Sequence, residues 1–185
     1  MSVEEPAFRV RLREGRFEVR DYGSLVIAEV VVGGDQKQAA SAGFRILAGY
    51  IFGGNALRES IAMTAPVTLV PTADRMEPPP TVAAAFDARQ WVVRFNMPKA
   101  YTISALPPPK DGRIRLRVAP PVRVAVIQFS GLAQPDDVKT KANELSAWIK
   151  AHGLRSASAA SLAQYDPPWT LWFLRRNEVS IPVTP

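Results

Sequence analysis

Two stretches of the chain share one pattern of apolar and polar positions. Residues 17–34 and 114–131 align without a gap, and each begins apolar-polar-apolar-Arg. A turn follows in both, at Tyr22-Gly23 or at Pro120-Pro121, and then a Val- and Ile-rich run that ends on glycine. Alternation followed by a β-branched run is typical of two strands joined by a tight turn. We therefore interpret the chain as two related halves.

A helical pattern follows each of these strand pairs. The first helix is predicted to begin near Asp35, with Gln38 completing a capping box, and to end at Gly53-Gly54. The second is predicted to begin at Pro135, which suits the first helical position, and to end at Gly153. Apolar residues at helical spacing are expected to face the core in the first helix, at Ala40, Phe44, Leu47 and Ile51.

Strand-like segments come after each helix. In the first half they lie near residues 62–70 and 91–96. In the second half they lie near residues 169–174 and 178–183, with a further one around 162–165. Prolines at 78–80 interrupt the first half with a loop.

The order β-β-α-β-β, written twice, predicts an α+β fold. We expect two pseudo-symmetric β-α-β-β-type repeats that form a distorted antiparallel β-barrel flanked by two α-helices. Pro107-Pro108-Pro109 marks the junction of the repeats. A single domain is therefore expected over residues 8–185, with halves of roughly 8–106 and 110–185.

Composition and charge narrow the classes of function. The chain has 185 residues, 47% of them hydrophobic, which suits a buried core. It has no cysteine, which excludes disulfides, iron–sulfur clusters, thiolate ligation of haem and cysteine nucleophiles. No run approaches the ~20 apolar residues of a membrane span, and the first residues contain no apolar signal segment, so we expect a cytoplasmic protein.

The net charge of +6 comes mainly from arginine. Arginine pairs with carboxylates and phosphates, so an anionic ligand or nucleic acid would each suit it. Many arginines, however, alternate with other residues, as on the solvated face of a strand. No compact basic run with interleaved aromatics occurs, and we therefore expect no nucleic-acid partner.

Few residues are placed to carry catalysis. His152 is the only histidine and falls at the end of the second helix, where a structural role suits it. A lone histidine rules out multi-histidine zinc sites, and we assign no metal ligand and no catalytic residue. Glu178 interrupts an apolar stretch beside Arg175-Arg176, as either a salt-bridged strand end or a functional carboxylate in a cleft. Gly43 and Gly49 leave part of the surface of the first helix flat. Such a surface would suit either a flat ligand or close packing of the helix against the sheet.

Four segments, in this order, resemble the SOUL haem-binding protein family: Phe17–Tyr22, Gly43–Asn55, Ile61–Val67 and Tyr165–Val179. The resemblance implies noncovalent binding of haem or a related tetrapyrrole in a hydrophobic groove beside the first helix, in haem buffering or trafficking. Because no histidine of this chain lies near that helix, we expect apolar burial with weak or absent axial ligation. Carried onto this chain, it points to Phe44, Leu47, Ala48, Ile51, Met63, Arg175 and Arg176 as the cofactor-binding residues.

Two alternatives stay open beside this interpretation. The expected fold also resembles effector-binding domains of the gyrase-inhibitor type, some of which are small-molecule hydrolases. Such an activity would use Glu178 with Tyr22 or Tyr165. The other alternative is a protein-interaction module whose groove accepts a peptide of an unidentified protein partner. We expect a binding protein rather than an enzyme.

Overall fold

The computed structural model describes residues 3–72 and 81–185. Its strands are β1 (Phe8–Glu14), β2 (Phe17–Tyr22), β3 (Leu25–Gly33), β4 (Val67–Pro71), β5 (Gln90–Asn96), β6 (Arg115–Ala119), β7 (Val122–Ser130), β8 (Arg155–Ser156), β9 (Ser161–Gln164) and β10 (Arg176–Thr184). The helices are α1 (Gln36–Ile51) and α2 (Pro135–Ala151). The predicted loop with prolines 78–80 lies outside the described residues.

A single antiparallel sheet runs through both halves, in the order β1-β2-β7-β10-β9-β4-β5-β3-β6, with β8 pairing to β10. The strands of the two halves correspond as β2 to β6, β3 to β7, β4 to β9 and β5 to β10. If β1 is left out and corresponding strands are exchanged, the same order is obtained in reverse, so a pseudo-two-fold axis lies between β4 and β9. The predicted α+β class, with duplicated repeats and a distorted barrel, is thus confirmed.

The strands on either side of each tight turn do not pair with each other. β2 pairs with β7 of the other half, and β3 pairs with β6. Only Gly23 and Ser24 separate β2 from β3, although five strands lie between them in the sheet. Such a short connection requires the two ends of the strand order to approach each other, and the sheet is therefore strongly curled.

Both helices begin as their sequences predict. The Asp35 carboxylate accepts from the Gln38 amide, and the Gln38 side chain accepts from the Asp35 amide, each at 2.9 Å. This reciprocal pair is the predicted capping box. α2 starts with Pro135 at its first position, and Gly53, at φ 108°, follows the end of α1. In the described part of the chain, neither helix is long and apolar enough to cross a membrane.

The core lies between the helices and one face of the sheet. α1 buries Ala39, Gly43, Leu47 and Ile51 against β3, β4 and β5. Phe44 is 42% exposed, so its prediction as a core residue is wrong. A Cβ at Gly43 would lie 2.5 Å from Val93 Cβ, and this close approach turns the small side chains, rather than Phe44, towards the sheet.

Two predicted strands differ in the structure. Residues 169–174 form a loop with a 3₁₀ turn at Trp172–Leu174, and the strands of this region are β9 and β10. Pro167-Pro168 lack amide donors, and the Arg175 side chain donates to the carbonyls of Pro168 and Thr170, which holds the segment in a turn. Likewise, residues 62–66 lie outside β4.

Candidate functional site

The face of the sheet opposite the helices encloses a cleft of about 450 Å³. Side chains of all the long strands except β1 line it, because the curled sheet wraps around it. Most of the lining is apolar and comes from valine, isoleucine, alanine and proline. Its volume lies within the ~300–1,000 Å³ that is usual for small-molecule sites.

A buried ion network forms one end of the cleft. Arg20 is 1% exposed and donates from Nη1 and Nη2 to the two carboxylate oxygens of Glu178, at 2.8 and 3.0 Å. Its Nε donates to Glu18 at 2.6 Å, and Arg13 donates to the other Glu18 oxygen at 2.7 Å. Burial would lower the pKa of Arg20, but the bonds and charge of Glu178, with those of Glu18, raise it. The guanidinium stays charged, and the two arginines balance the two carboxylates.

Two further side chains complete the coordination of Glu178. The Tyr165 hydroxyl donates to its Oε2 at 2.8 Å, and Gln128 Nε2 donates to its Oε1 at 2.9 Å. Burial, together with the charge of Glu178, raises the pKa of Tyr165 well above its ordinary value. Tyr165 therefore remains a neutral phenol. Both oxygens of the buried carboxylate are occupied by two donors each.

Two arginines on neighbouring strands form another wall of the cleft. Arg94 donates through Nε to Glu29 at 2.8 Å, and Arg117 donates through Nε and Nη2 at 2.9 and 3.2 Å. Burial would raise the pKa of Glu29, but the bonds from Arg117 and Arg94 outweigh it and lower that pKa. One ionised carboxylate thus faces two guanidiniums, so this wall has an excess of positive charge.

The residues predicted beside α1 fall into two groups. Leu47 and Ile51 are at most 1% exposed and pack against the sheet, and Ala48 is 9% exposed. Phe44 lies on the border of the helix, with its ring 5.6 Å from that of Phe95. Of this group, the structure therefore brings Phe44 to the accessible side of α1 and leaves Ala48 buried. Whether any of them contacts a ligand remains a prediction.

The other three predicted residues lie apart from this group. Met63 is partly buried against the core, just before β4. Arg175 is held by the carbonyls of its own loop. Arg176 faces the opposite side of the sheet from α1, with its guanidinium 3.5 Å from the ring centre of Tyr165 and paired with Glu5 at 2.5 Å. The structure thus does not bring Arg176 to the helix groove.

His152 has the structural surroundings that its position predicts. Its ring is 4.0 Å from that of Trp148, and Nδ1 lies 2.9 Å from the Trp148 carbonyl. Nε2 lies 3.3 Å from Glu14. Both ring nitrogens therefore have protein neighbours, which leaves neither directed at a ligand.

The loop between β9 and β10 carries an exposed apolar surface that the sequence pattern did not reveal. Its members are between 51% and 83% exposed and comprise Trp169, Leu171, Trp172, Phe173 and Leu174. The loop leaves the sheet beside the start of β4, because Gln164 pairs with Val67 and with Asn177. Since β4 directly follows Met63–Pro66, the loop and that segment occupy the same end of the sheet.

The arginine wall was also missed. The alternation of arginines predicted that Arg117 lies on the solvated face of a strand, and no pattern in the sequence drew attention to Arg94. The signal was present in β5, where Arg94 is the one charged residue among apolar neighbours. Whether such an arginine faces solvent or a cleft depends on sheet curvature, which no local pattern encodes.

The architecture is a duplicated α+β domain with a curled sheet around a cleft, and several solved structures share it. The C-terminal domain of EcmrR matches with a TM-score of 0.68 and 11% identity, over 91% of this chain and 96% of that one. A hydrolase from Listeria innocua matches with a TM-score of 0.60 and 14% identity, over 94% of both chains. SAV2435 bound to tetraphenylphosphonium matches with a TM-score of 0.50 and 13% identity, over 91% and 93%.

At this level of identity these likenesses establish the fold alone. No curated protein matches the chain in sequence. The model of the SOUL heme-binding protein family matches residues 3–182. The chain belongs to the SOUL heme-binding protein family.

Proposed function

We propose that this protein binds haem or a related tetrapyrrole noncovalently beside α1 and acts in haem buffering or trafficking in the cytoplasm. Family membership supports haem as the ligand. The observation that carries the location is the pair of exposed rings at Phe44 and Phe52, in an apolar row at every fourth residue whose other members are the partly buried Ala40 and the buried Ala48. Phe44 and Phe52 are 42% and 66% exposed, and exposed apolar surface of this kind marks binding sites.

The surroundings of this row fit a flat apolar ligand. A Cβ built at Gly49 meets no atom within 4 Å, so the exposed side of α1 is open at that point. Arg45 is exposed beside Phe44 and would reach an acidic substituent of the ligand. The apolar loop and Met63 lie at the end of the sheet described above, where they would cover the ligand's edge.

The affinity in this proposal comes from apolar burial rather than from an axial bond. The single histidine is engaged by Trp148 and Glu14. Apolar contact contributes about 25 cal/mol per Å² buried, and association has its own cost, so binding on the order of micromolar is expected.

Titration of the purified protein with hemin, followed by the Soret band and by tryptophan emission, tests the proposal. A saturable, equimolar change with a midpoint below ~10 μM is expected. Phe44→Asp places a charge at the apolar row and should weaken binding more than tenfold, whereas Ala151→Asp, an exposed position at the end of α2, should not. Leu47→Asp is unsuitable, because Leu47 is fully buried and its replacement would unfold the protein. An unsaturable hemin signal, or equal effects of the two aspartates, would overturn the proposal.

One observation favours the alternative of a small-molecule hydrolase. Tyr165 and Glu178 converge in the cleft wall at 2.8 Å, as a base with an adjacent phenol would. The four donors on the Glu178 oxygens weigh against it, because a general base needs a free lone pair. Assay of a series of p-nitrophenyl esters tests this alternative. A turnover abolished by Glu178→Gln but retained by Arg113→Gln would support it.

A further inference from the structure

We propose that the cleft in the curled sheet is a second binding site, separate from the surface of α1, for an amphipathic carboxylate of medium chain length. Its carboxylate would bind Arg94 and Arg117, and its hydrocarbon part would lie along the apolar lining. The proposal goes beyond haem binding and does not depend on it.

The excess of guanidinium over carboxylate supplies the anion specificity. Arg94 bonds Glu29 through Nε alone, and within residues 3–72 and 81–185 its two Nη atoms have no other hydrogen-bond partner. Arg117 bonds Glu29 through Nε and Nη2, and among the same residues its Nη1 has no partner. Both guanidiniums line the cleft, whereas Glu29 is not among its lining residues in the described part of the chain. Arg115 lies directly opposite Glu29 on β6 and adds to the positive charge.

Neutral polar groups surround the two arginines. Thr68 is the direct cross-strand neighbour of Arg94, and Ile27 is the neighbour of both Asn96 and Arg117. Thr68, Asn96 and Ile27 line the same cleft. A hydroxyl and an amide beside two guanidiniums provide the donors that a carboxylate accepts.

The wall of the cleft that contains Glu178 offers no free charge to a cation. Glu178 lines the cleft, but Arg20 and two neutral donors occupy its oxygens. Most of the remaining lining is apolar and includes Val70, Val124 and Val126. The cleft therefore favours a ligand with one anionic end and an apolar body over its cationic counterpart.

Three probes of equal chain length test this charge preference on the unmodified protein: decanoate, decanol and decyltrimethylammonium. Each is titrated below its micellar concentration in haem-free buffer, with calorimetry for affinity and amide NMR shifts for location. We expect decanoate to bind saturably, at least tenfold more tightly than decyltrimethylammonium, with shifts centred on β5 and β6, which hold Arg94 and Arg117. Tighter binding of the cation, no saturable binding of decanoate, or shifts centred on residues 169–174 would overturn the proposal.

Variants then test the two arginines. Arg94→Gln and Arg117→Gln should each weaken decanoate at least tenfold while leaving decanol unchanged, and Arg94→Lys should restore part of the affinity. Arg113→Gln is the matched control, because Arg113 is exposed and lies outside the cleft lining. Equal decanoate affinity in Arg94→Gln, Arg117→Gln and Arg113→Gln would refute the assignment. Because no haem is present, this result is independent of the hemin titration.

Discussion

Arg20 and Arg117 stand at the same position in the two repeats, yet their surroundings have diverged. Each is the arginine that closes the apolar-polar-apolar-Arg motif of its half. Arg20 is fully buried and holds Glu18 and Glu178, whereas the Arg117 side chain is 38% exposed and shares Glu29 with Arg94. One copy of the motif has become an internal ion network, and the other has become part of a cleft wall.

This difference predicts unequal contributions to stability. Arg20→Gln would leave two buried carboxylates without their main partner, and breaking such a pair costs about 3–5 kcal/mol. Arg117→Gln removes a partly exposed pair and should cost no more than about 1 kcal/mol. Urea unfolding of the two variants measures the difference. Similar midpoints for both would contradict the buried network.

Replacement of the two glycines of α1 by alanine should have opposite effects on stability. Gly43→Ala would force its methyl group into Val93, and overpacking of this kind costs about 1–3 kcal/mol. Gly49→Ala meets no atom within 4 Å and should stabilise the helix by about 0.5–1 kcal/mol. Thermal unfolding of the two variants compares them directly. A loss of stability in Gly49→Ala would show that the space beside α1 is not open.

Alkaline pH should destabilise the protein partly through Tyr50. Burial, with a smaller effect of Tyr101, raises the pKa of Tyr50 to about 12, and its hydroxyl donates to the Pro107 carbonyl at 2.8 Å. The unfolded chain loses this proton near pH ~10, so the contribution is complete below that pH and is lost as the pH rises towards 12. The free energy of unfolding should therefore fall over this interval, and less steeply in Tyr50→Phe. Parallel profiles of the two proteins would contradict this assignment.

His152→Ala should separate stability from haem binding. The substitution removes the ring contact with Trp148 and the contact with Glu14, which should cost about 1 kcal/mol. Hemin affinity should stay within twofold of the unmodified protein, because both ring nitrogens face protein groups. The Soret titration and urea unfolding measure the two effects. A tenfold loss of hemin affinity would make His152 an axial ligand.

Local chemistry explains which parts of the fold the sequence predicts. The ends of α1 and α2 follow from Asp35, Gln38, Gly53 and Pro135, because capping groups and φ preferences act within a few residues. The strands β2, β3, β6 and β7 follow from alternation and β-branched runs. The partners of these strands do not, because pairing of β2 with β7 joins residues about a hundred positions apart and depends on curvature of the whole sheet.

The candidate sites show the same division. Apolar periodicity placed Phe44 in the core, but the approach of Gly43 to Val93 rotates it to the border. Apolar content predicted a strand at residues 169–174, but Pro167-Pro168 and the side chain of Arg175 hold a turn there. Glu178 was recognised as unusual, yet its partner is Arg20, far away in sequence, and not the adjacent arginines.

The exchange of strands between the halves bears on how such a chain could arise. A half-length chain would leave β2 and β3 without the neighbours that β7 and β6 now provide. In a dimer of two identical half-length chains, β2 and β3 of each chain would pair with strands of the other chain. Such a dimer would have the same strand order around a true two-fold axis. The present fold thus has the construction of an intertwined homodimer whose subunits were joined through Pro107-Pro108-Pro109. Copies joined in one chain can differ in sequence, which identical subunits cannot, and here one repeat places Arg20 in a buried ion network while the other places Arg117 in a positive wall.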